Sequence, residues 1–362
     1  MKASVLLIIF HLSFLVSAQT AKQYKIRTIA FYNVENLFDI ENDTLIFDDD
    51  RTPEGKDNWT LERYTKKLDN ISKVLSEIGS ENSGNSPDII GICEVENLTV
   101  IEDLIGHPNL QDKGYQIVHY DSPDERGIDV ALLFKEDAFL PTSFASHRLL
   151  LIDDDDQRNY TRDQLVVGGL LDNEQLYFLV NHWPSRSGGE ARSRPNRMAA
   201  AKLNKRIIDS IQRLDAYAKI IGMGDFNDDP NNDSFKKILK TKAVRNPKKG
   251  EQNQFEQGNL LNPMEKLYKK GVGSLAYRDK WNLFDQIYFT ANLVQSKKGD
   301  YRFWKSGVFN APYLVTKKGQ YKGYPFRTYA GGSYAGGYSD HFPVFLYLIK
   351  EASPSPSQGG EN

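Results

Sequence analysis

The stretch Asp88-Ile89-Ile90-Gly91-Ile92-Cys93 restricts the fold more than any other. Successive side chains on an extended chain leave opposite faces. Apolar residues at both parities therefore mark a strand covered on both sides. The run ends in Glu94-Val95-Glu96-Asn97. A glutamate at the end of such a strand is costly unless it is paired or coordinates a metal.

Other strands are expected to end the same way. Thr28-Ile29-Ala30-Phe31-Tyr32 runs into Asn33-Val34-Glu35, and Ala218-Lys219-Ile220-Ile221 runs into Gly222-Met223-Gly224-Asp225-Phe226-Asn227. On an extended stretch Asp225 and Asn227 would leave one face. An Asp/Asn-rich turn is the other reading of the same residues. A hairpin is expected from Tyr115–Tyr120 and Ile128–Phe134, with Arg126 and Asp129 near its tip. A second runs from Leu165 to Leu171 and Leu176 to Val180 around Asp172-Asn173, and delivers Asn181-His182-Trp183. Trp281–Phe289 reads as a strand with Asp285 inside it, and Val344–Leu348 as the last strand, after Ser339-Asp340-His341-Phe342-Pro343.

Leu61, Tyr64, Leu68, Ile71, Leu75 and Ile78 recur at helical steps behind a Thr60 N-cap, and Leu98–Ile105 is a short helix. Pro195 is expected in the first turn of a helix whose buried face carries Leu203, Ile207, Ile211 and Leu214. Arg186, Arg192, Arg194 and Arg197 crowd its start. They suit either solubility or a polyanionic substrate.

At 362 residues, 40% hydrophobic and 26% charged, the chain has ordinary globular composition. A net charge of -2 argues against a strongly basic nucleic-acid binder, though not against a local basic patch. Lys2, the apolar run Val5–Val16 and the small residues Ser17-Ala18 form a secretory leader, so residues 1–18 are expected to be removed on export. Cys93 is the only cysteine, so no intrachain disulfide is available, and no second apolar run reaches membrane-spanning length. Residues 351–362 are expected as a disordered tail, leaving one domain over 19–350.

Asn33/Glu35, Glu94, His182, Asp225/Asn227, Asp285 and Asp340/His341 thus lie in or at the ends of apolar strands. Any one of them is unremarkable as a cap or turn residue. Together they describe a site at one edge of stacked sheets. The blocks Tyr32-Asn33-Val34-Glu35-Asn36-Leu37, Ile92-Cys93-Glu94-Val95, Asn181-His182-Trp183, Gly224-Asp225-Phe226-Asn227, Phe284-Asp285-Gln286-Ile287 and Ser339-Asp340-His341-Phe342-Pro343-Val344 resemble, in order, the endonuclease/exonuclease/phosphatase superfamily. The resemblance implies a four-layer α/β sandwich, with two packed mixed sheets flanked by helices. It also implies phosphoester hydrolysis with Mg²⁺, Mn²⁺ or Ca²⁺. Glu94, Asp340 and Glu35 would be the metal ligands. Asp225 would orient or deprotonate water, with Asn227 holding that water or a phosphate oxygen. His341, fixed by Asp285, would bind the phosphate or transfer a proton. His182 would protonate the leaving oxygen and Asn33 would contact phosphate or the metal shell.

Arg126, Arg186 and Arg197 are the candidate substrate-binding residues. The Gly- and Tyr-rich stretch Gly319–Tyr338 has no counterpart in the shared core. If its Tyr329 and Tyr334 close the site, a small phosphoester is favoured over duplex DNA. The expected activity is that of an exported nuclease, monomeric and without a membrane anchor. A phosphatase or sphingomyelinase-like phosphodiesterase is the alternative, and a non-catalytic binding module ranks behind both.

Overall fold

The computed structural model describes residues 23–153, 155–244 and 255–352. The leader expected over residues 1–18, and residues 353–362 of the expected tail, lie outside them. Among the described residues no helix is long and apolar enough to cross a membrane.

Two large sheets organise the described chain. The first has six strands in the order Arg302–Val308, Val344–Glu351, Tyr24–Leu37, Ile89–Val95, Asp129–Lys135 and Tyr115–His119. The second has seven: Lys242–Ala243, Leu260–Asn262, Asp285–Thr290, Lys219–Asp225, Glu174–His182, Gln164–Leu171 and Phe139–His147. Both are mixed. Tyr24–Leu37 pairs parallel with Ile89–Val95, and Lys219–Asp225 parallel with Glu174–His182. Their other neighbours run antiparallel. This is the expected α/β sandwich.

The layers follow from strand parity. Ile29, Phe31, Ile89, Cys93, Val180, Ile221, Met223, Ile287 and Phe289 share one core, the seam between the sheets. Their odd-and-even neighbours Ala30, Tyr32, Ile90 and Ile92 pack outward beneath Leu68, Ile71, Val74 and Leu75 of the helix Leu61–Glu77 and beneath Val100 and Leu104 of the helix Leu98–Gly106. Leu179, Ile220 and Tyr288 face the opposite way, onto Ala200, Ala201, Leu203 and Ile207 of the helix Glu190–Leu214. Ile89 and Ile90 thus enter different cores, which is what a strand covered on both faces requires.

Several boundaries differ from the sequence reading. The helix Glu190–Leu214 begins five residues before Pro195, so the proline lies inside it and not in its first turn. Trp281–Phe289 is not one strand. A small hairpin, Leu275–Tyr277 with Lys280–Asn282, ends before Asp285 opens the sheet strand. The edge strands Phe139–His147 and Arg302–Val308 carry little alternation and were not foreseen. The last strand reaches Glu351, three residues past the expected Leu348.

The glycines before Asp225 make room and do not turn the chain. A methyl group at Gly222 would stand 2.2 Å from the Tyr288 ring, and one at Gly224 2.4 Å from the Asn181 carbonyl oxygen of the neighbouring strand. Gly224→Ala is therefore expected to lower stability by ~1–3 kcal/mol through overpacking against backbone. Urea denaturation with an unchanged m-value would report it; a wild-type midpoint would show that the strands can separate without cost.

Candidate active site

The same parity that fills the seam places polar groups at its end. Asn33, His182 and Asp225 each lie two residues beyond a seam side chain (Phe31, Val180 and Met223), and Asp285 two before Ile287. Sheet register sets Asp225 opposite Asp285 and beside His182, and Asn33 beside Cys93. His341 enters from the loop before the last strand, and its Nδ1 lies 2.6 Å from Asp285 Oδ2.

Glu94 breaks the parity. It follows the seam residue Cys93, and a regular strand would send it outward. Its φ is +63°, and the register with Val130 and Asp129 slips across it, so the strand bulges here. The bulge brings its carboxylate back: Asn33 Nδ2 donates to Oε1 at 3.2 Å and Asn36 N to Oε2 at 3.1 Å. Glu35 and Asn36 are also at positive φ, +52° and +55°. Such non-glycine conformations store strain and cluster at functional sites.

The recurring two-residue spacing has a local cause. Asn33 Oδ1 accepts from Glu35 N at 2.9 Å, Asp225 Oδ1 from Asn227 N at 2.9 Å, and Ser339 Oγ from His341 N at 3.0 Å. These are Asx and Ser turns that end the strands. Asn227, at φ +50°, is therefore not on the same extended face as Asp225. Its amide donates to Trp183 O at 3.0 Å.

Asn33 Nδ2 also donates to Asp225 Oδ2, at 3.1 Å, and so ties Asp225 to Glu94. Burial pushes the Asp225 carboxyl up to about 7, with His341 opposing and Asp285 adding to the shift. Burial pulls His341 down, but Asp285, Asp225 and Asp340 outweigh it and hold the ring well above its ordinary value. His341 is thus an imidazolium whose Nε2 lies 3.9 Å from both Asp225 Oδ2 and Asp340 Oδ1. His182 is its opposite. Burial, then Arg162, Arg126 and His341, lower it well below its ordinary value. Its Nε2 sits 3.7 Å from Glu94 and from Asp225, as a neutral ring rather than half of an ion pair. One carboxylate oxygen here, Asp285 Oδ1, is buried without a partner.

Carboxylates outnumber cations in this cluster, and their oxygens suit a hard divalent ion. Asp225, Asp285 and His341 present donors within 4.8 Å of one another, but His341 Nδ1 is already bonded to Asp285. Glu94, 13% exposed, and Asp340, 30%, are better placed to hold an ion that also meets substrate.

The remaining candidates serve the scaffold. Glu35 is no free ligand: Thr328 N donates to one oxygen at 2.6 Å and Arg327 Nε to the other at 3.3 Å, which pins the tyrosine-rich loop. Buried Lys67 completes that anchor through Thr328 Oγ1 and Tyr338 O. Arg197 is fully buried on Asp228, and Arg186 bonds Asn227 O and Asn232 while lying over the Phe284 ring. Both answer the buried Asp228 carboxylate and are not available to a substrate. Arg126 alone stays half exposed at its loop tip. Tyr329 and Tyr334 pack against Trp59 and Arg63 and do not close the site. Sequence reasoning missed Arg162, which joins Asp124 to Trp183 O, and Arg327, which bridges Glu35 and Asp340. Nothing in their local sequence announces partners so far along the chain.

A family model described as endonuclease/exonuclease/phosphatase family matches residues 28–350. The chain belongs to that family. It is accordingly a phosphoesterase of the endonuclease/exonuclease/phosphatase superfamily. No curated protein matches its sequence significantly. Among solved structures it is similar to an endonuclease/exonuclease/phosphatase family protein from Bacteroides thetaiotaomicron, 18% identical, TM-score 0.53, over 91% of this chain and 100% of that one. It is also similar to a humanized D. rerio TDP2, 12% identical, TM-score 0.53, over 90% and 99%. A B. thetaiotaomicron mannosyl-6-phosphatase is 17% identical, TM-score 0.50, over 89% and 99%. At these identities the likeness is one of fold.

Two measurements test the geometry. Asp225 binds its proton more tightly folded than unfolded, so the metal-free protein loses stability as pH rises from 3.8 to about 7. A cation competes with that proton. Mg²⁺ should therefore raise Tm by a few degrees at about pH 8 and by less at about pH 5, and Glu94→Gln should abolish the gain. Equal shifts at both pH values would separate the ion from the Asp225 proton, and a gain that survives Glu94→Gln would remove Glu94 from the metal site. Arg197→Ala leaves the buried Asp228 charge with only Ser234 and the 3.4 Å contact to Arg186, and should cost ~3–5 kcal/mol in chemical denaturation. A loss within ~0.5 kcal/mol would mark Arg197 as an ordinary surface arginine.

Proposed function

We propose that the protein is an exported, divalent-metal-dependent phosphodiesterase that cleaves nucleic acid by water attack. The observation that carries the reaction is the pair of histidines with opposed charge states across one carboxylate. His341 is held as a cation by Asp285, and neutral His182 faces Asp225 from the other side. Environments that push like groups apart in pKa assign acid and base roles.

Asp225, ionised above about pH 7, accepts the proton of the attacking water. Asn33 holds that carboxylate and Glu94 in fixed relation. His341 offers Nε2–H to a phosphoryl oxygen, and its charge is greatest use where negative charge develops. His182, neutral in the free protein, donates a hydrogen bond to the ester oxygen; as the P–O bond breaks that oxygen takes its proton from solvent water, and Asp225 returns the proton it accepted to solvent. Glu94, with Asp340 beside it, would hold an ion of the Mg²⁺ class, which would supply charge neutralisation on the phosphoryl oxygens.

The nucleic-acid reading draws support from a D. rerio TDP2 of the same fold, which was solved with a single-strand DNA product. Arg126, half exposed and 3.7 Å from Asp124, lies close enough to His182 to lower its basicity. One observation favours a phosphatase instead: Arg186 and Arg197, the basic residues that suited a polyanion, are internal ties.

The test is hydrolysis of single-stranded DNA, RNA, a hexose 6-phosphate, sphingomyelin and methyl p-nitrophenyl phosphate, with and without EDTA. Cleavage of nucleic acid that is lost in EDTA is expected. Asp225→Asn and His341→Asn should each lower kcat by about a hundredfold or more. Turnover that persists in EDTA would sink the metal, and exclusive hydrolysis of the hexose phosphate would replace the nuclease with a phosphatase.

A further inference from the structure

Beside Asp340 the surface opens into a recess of about 360 Å³ lined by Tyr277, Tyr321, Tyr324, Arg278 and Arg327. We propose that this recess holds one unpaired nucleobase next to the reacting phosphate, which makes the substrate single-stranded or terminal nucleic acid. The proposal rests on the nuclease reading above and supplies its substrate class.

The walls are built rather than incidental. Arg278 and Asp279 form the two-residue turn of the hairpin at 275–282, at φ +49° and +59°. Asp279 N donates to Tyr324 Oη at 2.6 Å, and that hydroxyl donates to Asp279 Oδ1 at 2.6 Å. The hairpin and the tyrosine-rich loop are thereby clamped together. The Tyr324 ring lies 6.0 Å from Trp281, which stacks on Phe342 at 6.1 Å and 15°. Phe342 follows His341 in the chain, so the aromatic wall is coupled to the catalytic loop. Arg327 bonds Asp340 at 2.9 Å where the recess meets the site.

Chemistry and size choose the occupant. Asp279 is taken by Tyr324, and Asp340 gives Oδ2 to Arg327 while its Oδ1 lies on the His341 side, so neither carboxylate is turned into the recess to fan onto sugar hydroxyls. What remains is aromatic faces, a guanidinium over one of them (Arg278 on Tyr277, 5.2 Å), and the amide of Gln320. Tyr277 is 63% exposed, with the Arg278 guanidinium over its ring. Flat rings stack on such walls irrespective of sequence. The volume lies near the lower end for ligand pockets and suits one nucleotide unit, not a base pair.

The experiment compares single-stranded oligonucleotides with and without one abasic position beside the cleaved phosphate, and the same sequence as duplex. Intact single strands should be cleaved about tenfold faster than abasic ones, and faster than duplex. Tyr321→Ala and Tyr277→Ala should erase the preference for the base, whereas Tyr321→Phe should keep it, because stacking needs the ring and not the hydroxyl. Trp281 fluorescence should change on adding thymidine monophosphate in EDTA, and Tyr321→Ala should weaken that binding about tenfold. Circular dichroism checks that the variants fold. Equal rates on abasic and intact strands, duplex cleaved as fast as single strands, or preference surviving both alanine variants would overturn the proposal. If methyl p-nitrophenyl phosphate is hydrolysed while these fail, the recess alone is wrong. If that ester is not hydrolysed either, the proposed reaction falls, and nucleotide binding decides the recess by itself.

Discussion

The seam between the two sheets sets everything else. Its strands alternate inward and outward, so a residue two steps past a core side chain must point into the seam as well. At one edge those next residues are Asn33, His182, Asp225 and Asp285, not further apolar groups. Polar groups in such a place are costly unless they satisfy one another. Most do so through Asn33, which joins Glu94 to Asp225, and through the bond between Asp285 and His341, while Asp285 Oδ1 and His182 Nδ1 are buried without a partner. The site is the end of the core, with the rigidity of packed strands behind each functional atom.

That arrangement leaves a charge deficit, and the fold uses two separate ways to contain it. Around Asp228 the protein supplies its own cations, Arg197 and Arg186, and the result is a fixed loop behind Asp225. Around Glu35 it supplies Lys67 and Arg327, and the result is an anchored tyrosine-rich loop. Burial pushes the Glu35 carboxyl up and the Lys67 ammonium down, so each depends on the other for its charge. At Glu94 and Asp225 no lysine or arginine among the described residues forms an ion pair. That contrast, more than the carboxylates themselves, separates the candidate site from the supports beside it.

The layers, and the polar residues that gather at one end of the seam, were legible because alternation and strand-end polarity are local properties. Ile89 and Ile90 in different cores follow directly from an unbroken apolar run. Side-chain commitments were not legible. The two-residue spacing of Asn33 with Glu35 and of Asp225 with Asn227 looks like a shared face, yet it comes from turns that end the strands. Arg186 and Arg197 look available because they sit near His182 in the chain. Their partner Asp228 lies 31 residues beyond Arg197, and only folding brings them together. Arg162 and Arg327 fail the opposite way: their partners Asp124 and Glu35 are 38 and 292 residues off, so no window of sequence contains both.

Glu94 shows why parity alone could not have finished the site. A regular strand would have sent its carboxylate toward the helices, into the core around Ile92 and Val100. The left-handed turn at Glu94 redirects it, at a conformational cost that, among the glutamates of the described strands, Glu35 shares. A bulge adds a residue on one strand without shifting the rest of the sheet. The chain can therefore keep the seam in register and still aim a carboxylate across it. Matching positive φ at Glu35 and Asn36 on the neighbouring parallel strand lets Asn36 N reach that carboxylate. Two adjacent strands deform together at one point, and the deformation is what places Glu94 next to Asn33 and Asp225.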